Sequence, residues 1–247
     1  MREPKHRRSP SGPRLAAALW LGLSFGGIGQ ALAQSECGPL ANAYGPYDYW
    51  VNKAELPIVD SNHFTPEVET LQRGKSSSIG GDLDYTLRAF PNHARALVAM
   101  VNLGVKERTA KPSGSRYTVE CWLIRAIQFR PNDATARVIY ASFLSKAGRR
   151  PQAVKELEAA EAAGATSPNF HYNLGLAYLD VGDFEKSLDH AHKAYLGGFN
   201  LPGLKSRLLK AGKWRDPVPP VKSTTPEVPP AGDSGGATTE AKPEASR

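Results

Sequence analysis

Apolar residues in the second half of the chain recur at helical spacing and then give way to glycine. Leu174 and Tyr178 lie on one face of a helix, and Leu188 follows on the next. Gly182 between them suits the left-handed conformation that ends a helix. Gly175 and Ala194 are small where two antiparallel helices must come close. A helix–turn–helix unit is therefore expected over residues 168–201.

The same pattern stands 34 residues earlier. Tyr140, Ala141, Leu144, Gly148, Ala153, Leu157 and Ala160 are in phase with Leu174, Gly175, Tyr178, Gly182, Ser187, Ala191 and Ala194. A third copy emerges once six residues are inserted. Ala126–Ala134 mirrors Thr86–Ala94 in helix end, Pro-Asn and new helix start, and the insertion fits the Lys111-Pro112-Ser113-Gly114-Ser115 loop. Upstream, Thr65 reads as an N-cap with Pro66 at the first helical position, and that helix is expected to run to about Arg73 and stop at Gly74.

The Leu174-Gly175, Tyr178, Gly182 and Ala194 positions resemble the tetratricopeptide consensus, whose period is 34 residues. The resemblance implies an all-α fold, a right-handed superhelical solenoid of antiparallel helix pairs. Repeats fall at about 65–93, 94–133, 134–167 and 168–201, with a capping helix over 202–214. Residues 34–64 are expected to be an irregular, aromatic-rich segment.

The ends belong to another category. Arg2, Lys5, Arg7, Arg8 and Arg14 precede an apolar run from Leu15 to about Gly29, and Ala31-Leu32-Ala33 supplies a small-x-small cleavage pattern. Residues 1–33 read as a secretory signal peptide cleaved after Ala33. With this repeat type, export points to the bacterial periplasm or to secretion. From Asp216 the chain is rich in Pro, Ser, Thr and Gly, so residues 215–247 are expected to form a disordered tail.

Charge changes little once the signal is set aside. The whole chain carries +7, of which the signal holds +4, so the basic balance is no argument for nucleic acid. No second apolar stretch is long enough to span a membrane. Cys37 and Cys121 both remain after cleavage in an oxidising compartment, and a disulfide between them is expected over two buried thiols.

Catalytic chemistry is not evident. Gly74-Lys75-Ser76 lacks the earlier glycine of a phosphate loop, since Glu69 stands there. His190 and His192 are two apart and diverge on a helix, while His63 and His93 read as capping or surface residues. No serine elbow or marked carboxylate pair occurs. No enzyme activity, catalytic residue, metal or cofactor is expected.

The resemblance implies that the first helix of each pair lines a concave groove. Arg95, Val98 and Asn102 would face it from the second repeat, and Thr135, Val138, Ile139 and Ser142 from the third. Asn169, Tyr172, Asn173 and Leu176 would follow from the fourth. Asn173 matches an asparagine that bonds the backbone of a bound chain in peptide-binding relatives. Val138 and Thr135 stand where a carboxylate clamp would want basic residues. Tyr47, Tyr49 and Trp50 form a second candidate interface, or else pack back over the first helices. The expected function is an exported scaffold that binds a protein or peptide of the cell envelope. A small-ligand module for a cell-wall fragment and an accessory subunit of an envelope enzyme are the alternatives.

Overall fold

A computed structural model describes residues 37–217 of the chain. The expected signal peptide and nearly all of the expected tail lie outside the described residues. Residues 37–214 belong to the unit set out below.

Ten helices and no strands occur among the described residues, so the fold is all-α. In chain order they are α1 (Leu56–Asn62), α2 (Pro66–Glu69), α3 (Ile79–Ala89), α4 (Ala94–Glu107) and α5 (Val119–Phe129). They continue with α6 (Ala134–Lys146), α7 (Arg150–Ala162), α8 (Pro168–Asp180), α9 (Phe184–Leu196) and α10 (Gly203–Lys210). Among the described residues no helix is long and apolar enough to cross a membrane.

Helix starts follow local chemistry. Ser78, Thr118, Ser167 and Asp183 each accept a hydrogen bond from a backbone N–H three residues on. After the two Pro-Asn turns, His93 caps α4 and Asp133 caps α6 in the same manner. At the α6–α7 and α8–α9 turns, Gly148 and Gly182 adopt φ of +74° and +76°, the left-handed geometry that ends a helix without a Cβ clash.

Packing runs from helix to helix. α6 lies on α7 and α8 on α9, while α4 also touches α6, and α6 touches α8. Each helix that opens a pair therefore contacts the one that opens the next. The contact is close at Gly175, where an added Cβ would meet Leu204 Cδ2 at 2.7 Å and the Ser187 carbonyl at 3.2 Å. One large apolar cluster runs from Phe64 to Val181, and a second joins Tyr172, Leu188 and Ala191 to Leu204 and Leu208 of α10. The terminal helix thus covers apolar surface that α8 and α9 would otherwise expose.

Three expectations need correction. α2 stops at Glu69 instead of running to Arg73, because Leu71 takes φ +58° and the Thr70 hydroxyl turns back to the Pro66 carbonyl. Thr65 stands at the N-cap but makes no side-chain cap bond. The 34–64 segment is not wholly irregular: α1 forms within it, with Val59 buried against Ala89 and Phe90.

The rest of that segment is tied down at several points. Cys37 and Cys121 are disulfide-bonded, with Cα atoms 5.1 Å apart. Arg125, 1% exposed, donates from Nη1 to the carbonyls of Cys37, Gly38 and Pro39. The Tyr47 N–H donates to the Ala89 carbonyl. The inserted loop before α5 also folds inward, where Trp122 Nε1 donates to Ser115 Oγ and the Arg116 N–H to Asp84.

Candidate binding groove

α4, α6 and α8 present one side of their surfaces to a shared groove of about 820 Å3. Arg95, Val98 and Asn102 reach it from α4, and Thr135, Val138, Ile139 and Ser142 from α6. Asn169, Asn173 and Leu176 reach it from α8. These side chains converge because the three helices pack in sequence, each offset from the next by a whole helix pair.

Tyr172 departs from that set. It is 8% exposed and sits behind the groove, its ring 4.6 Å from that of Phe199 and beside Leu204. The reason lies after the last repeat. The chain leaving α9 turns back over α8, and Phe199 and α10 claim the face that Tyr172 occupies.

The aromatic segment divides in two. Tyr47 does not line the groove; it packs beside Tyr44 and Phe90, over Val59 and Ala89. Tyr49 and Trp50 do line it. A polar clamp holds them there. Asn92, 1% exposed, accepts from the Tyr49 N–H and donates to Asp48 and Asp133. The Trp50 indole donates to Asp133 Oδ2 at 2.8 Å, and Arg130 pairs with Asp48. The Asp133 carboxylate therefore caps α6 with one oxygen and anchors the aromatic pair with the other. Lys53 lies over the Tyr49 ring, 4.1 Å from its centroid.

Charged side chains that the sequence pattern does not single out also line the groove. Glu69 pairs with Arg95, and Asp180 with Arg207 of α10. The hydrogen bonds from Arg95 hold the Glu69 carboxyl below its ordinary range, and burial raises the Tyr49 phenol. Lys146 is the third cation on the lining, and it has no partner among the described residues. The signal that could have found Lys146 is its phase: it stands four residues after Ser142, on the same helical face.

Polar capacity is only partly used. Asn173 donates to the carbonyl and side-chain oxygen of Asn169, which leaves its own oxygen open. The side chains of Asn102, Thr135 and Ser142 have no partner among the described residues. Val98, Val138, Ile139, Phe143 and Leu176 supply apolar floor between them. Such a lining can grip a chain by burial and backbone hydrogen bonds at once.

Histidines lie elsewhere. His93 is fully buried between Tyr49 and Phe64, where burial depresses its pKa. His63 bonds Asp82, whose carboxylate also accepts the N–H groups of Lys75, Ser76 and Ser77. His190 meets His171 of α8, with Nδ1 atoms 3.1 Å apart, a pairing that the His190–His192 spacing does not suggest. Among the described residues no group of three or more His, Cys, Asp or Glu is arranged to hold a metal ion.

No family model matches the chain, and no curated protein or solved structure matches it.

Proposed function

We propose that the protein is an exported tetratricopeptide-like scaffold that binds a segment of an envelope protein in the α4–α6–α8 groove. The 34-residue phase, the glycine turns and the stepwise contacts of α4, α6 and α8 support the solenoid reading. The disulfide and the basic, then apolar N-terminus support export to an oxidising compartment such as the periplasm.

The observation that carries the binding role is the lining itself. Amide and hydroxyl groups with unused hydrogen-bonding capacity stand among apolar side chains on three successive helices. Unused donors and acceptors beside apolar surface favour an occupant that supplies both partners. The mechanism is burial of a segment on a preformed surface, with no bond chemistry.

A photo-crosslinking amino acid at Asn173, introduced in the intact cell, tests the reading. One stoichiometric protein adduct is expected there, with none from the same probe at Lys155 on the exposed side of α7. Equal adducts at both sites would remove the groove from the mechanism.

A second reading rests on Tyr49 and Trp50. Aromatic rings at the edge of a cavity of about 820 Å3 also suit a small ligand, such as a cell-wall fragment. In that case no protein adduct forms at Asn173, and Trp50→Ala abolishes ligand binding.

A further inference from the structure

The charges on the groove are not balanced, and the imbalance points to what it takes. Resting on the peptide-groove reading, we propose that the bound segment is extended and carries an internal aspartate or glutamate that pairs with Lys146. Lys146 ends α6, the middle helix of the three. The other charges toward that end of the lining are paired: Arg207 Nη2 holds Asp180 Oδ1 at 2.6 Å. The Ser145 hydroxyl donates to the Asp180 carbonyl at 3.3 Å, which sets the end of α6 against the end of α8. Across the groove, Glu69 is likewise held by Arg95. Both lining carboxylates are therefore neutralised, and the Lys146 ammonium keeps its donors for a bound group.

The carboxylate comes from a side chain, not from a chain end. Polar groups with unused capacity lie on both sides of α6: Asn102 on α4, and on α8 Asn169 and Asn173, which bond each other but keep an amide donor and an oxygen open. A segment that uses all of them continues in both directions past Lys146. A terminal carboxylate there would leave one side of the groove empty. It would also need a second convergent cation, and Arg207 is already committed. Extended backbone fits better than helix, because a helix satisfies its own amides and would leave those of the groove unmet.

The probe is an array of random hexapeptides, N-acetylated and C-amidated, incubated with the disulfide-bonded protein. Bound peptides should be enriched in Asp or Glu at one internal position. The best of them should weaken about fivefold with Lys146→Met, the range of an exposed ion pair. Lys146→Glu should shift the preference to Lys or Arg at the same position. Lys146 is exposed, so both variants fold, and unchanged circular dichroism checks this. Enrichment without acidic residues, or an acidic preference that survives Lys146→Met, overturns the proposal and leaves the peptide groove standing. Binding that appears only when the C-terminal amide is replaced by a free acid overturns the internal placement. Absence of any bound peptide overturns both the proposal and the reading beneath it.

Discussion

Mild acid should destabilise this protein through His190. The residue is 1% exposed on α9, with its ring parallel to that of Tyr178 at 5.6 Å. Its Nδ1 lies 3.1 Å from His171 Nδ1, and its Nε2 is 3.6 Å from Glu161 Oε1, too long for a hydrogen bond. Tyr178 and Lys186 already donate to the other oxygen of Glu161. Burial, assisted by Lys193 and His171 and opposed by Glu161 and Asp189, pushes the His190 pKa down to about 4. Protonated His190 can only donate to His171 Nδ1, so the bond between them is lost once both rings are protonated and no acceptor remains.

Below its unfolded pKa of about 6.5, the unfolded chain binds a proton that the native protein refuses, so stability falls as pH falls. The contribution is intact above pH ~6.5 and is lost progressively down to about pH 4. A gap of roughly 2.5 pKa units corresponds to about 3 kcal/mol. That is a large part of the ~5–15 kcal/mol typical of a folded domain. Urea unfolding followed by tryptophan fluorescence at pH 7.5, 6.5, 5.5 and 4.5 measures the loss. His190→Asn should cost stability at pH 7.5 through lost packing, yet flatten the slope between pH 6.5 and 4.5 by roughly 1 kcal/mol per pH unit. His93, also depressed in the folded state but packed between Tyr49 and Phe64, tilts the two curves equally, whereas His171 bonds His190 and its share changes with it. Parallel curves for the variant and the parent would refute the assignment.

Three further outcomes are expected. Cys121→Ser opens a bridge whose cysteines are 84 residues apart, and chemical denaturation should register a loss of about 4.5 kcal/mol by the chain-entropy account. Gly175→Ala forces a Cβ against Leu204 and the Ser187 carbonyl, so thermal unfolding should report a loss of roughly 1–3 kcal/mol. Asn92→Ala removes the link between Tyr49, Asp48 and Asp133 at a cost of about 2 kcal/mol. Chymotrypsin should then cut near Tyr49 and Trp50 before it attacks the helices, and equal protection of both regions would count against the clamp.

Sequence reasoning reached what is local and repeated. Gly148, Gly182, the Pro-Asn turns and the small residues at Gly175 and Ala194 each encode a backbone requirement within a few residues. Once in phase, they also indicate which helical faces turn to one side. That phase places Arg95, Asn102, Ser142 and Asn173 on the groove. It fails at Tyr172 because α10 lies beyond the repeats and packs with Phe199 on that face, and no periodicity announces where a terminal segment folds back. It passes over Lys146 because a basic residue in the last turn of a helix has an ordinary explanation in the helix dipole. What gives Lys146 another meaning is that both carboxylates on the same lining, Glu69 and Asp180, are paired with arginines.

The N-terminal segment escaped for a different reason, and that reason bears on binding. Its cysteine was legible, but many of its other anchors are backbone groups: three carbonyls on Arg125, the Tyr47 amide on Ala89 and the Tyr49 amide on Asn92. Any sequence supplies amides and carbonyls, so the pairing leaves no trace in residue type. Yet Arg125 depends on it. Its guanidinium is buried without a carboxylate and rests on the rings of Tyr117 and Trp122. Burial lowers its pKa, and only the carbonyls of residues 37–39 accept from it. A buried cation stripped of its acceptors is costly, so the segment cannot lift away without exposing Arg125 to water or unfolding α5. With that end fixed and the Asn92 and Asp133 clamp at the other, Tyr49 and Trp50 are held on the groove as parts of its wall. For the proposed bound segment this wall would then be preformed, and little ordering of it would oppose binding.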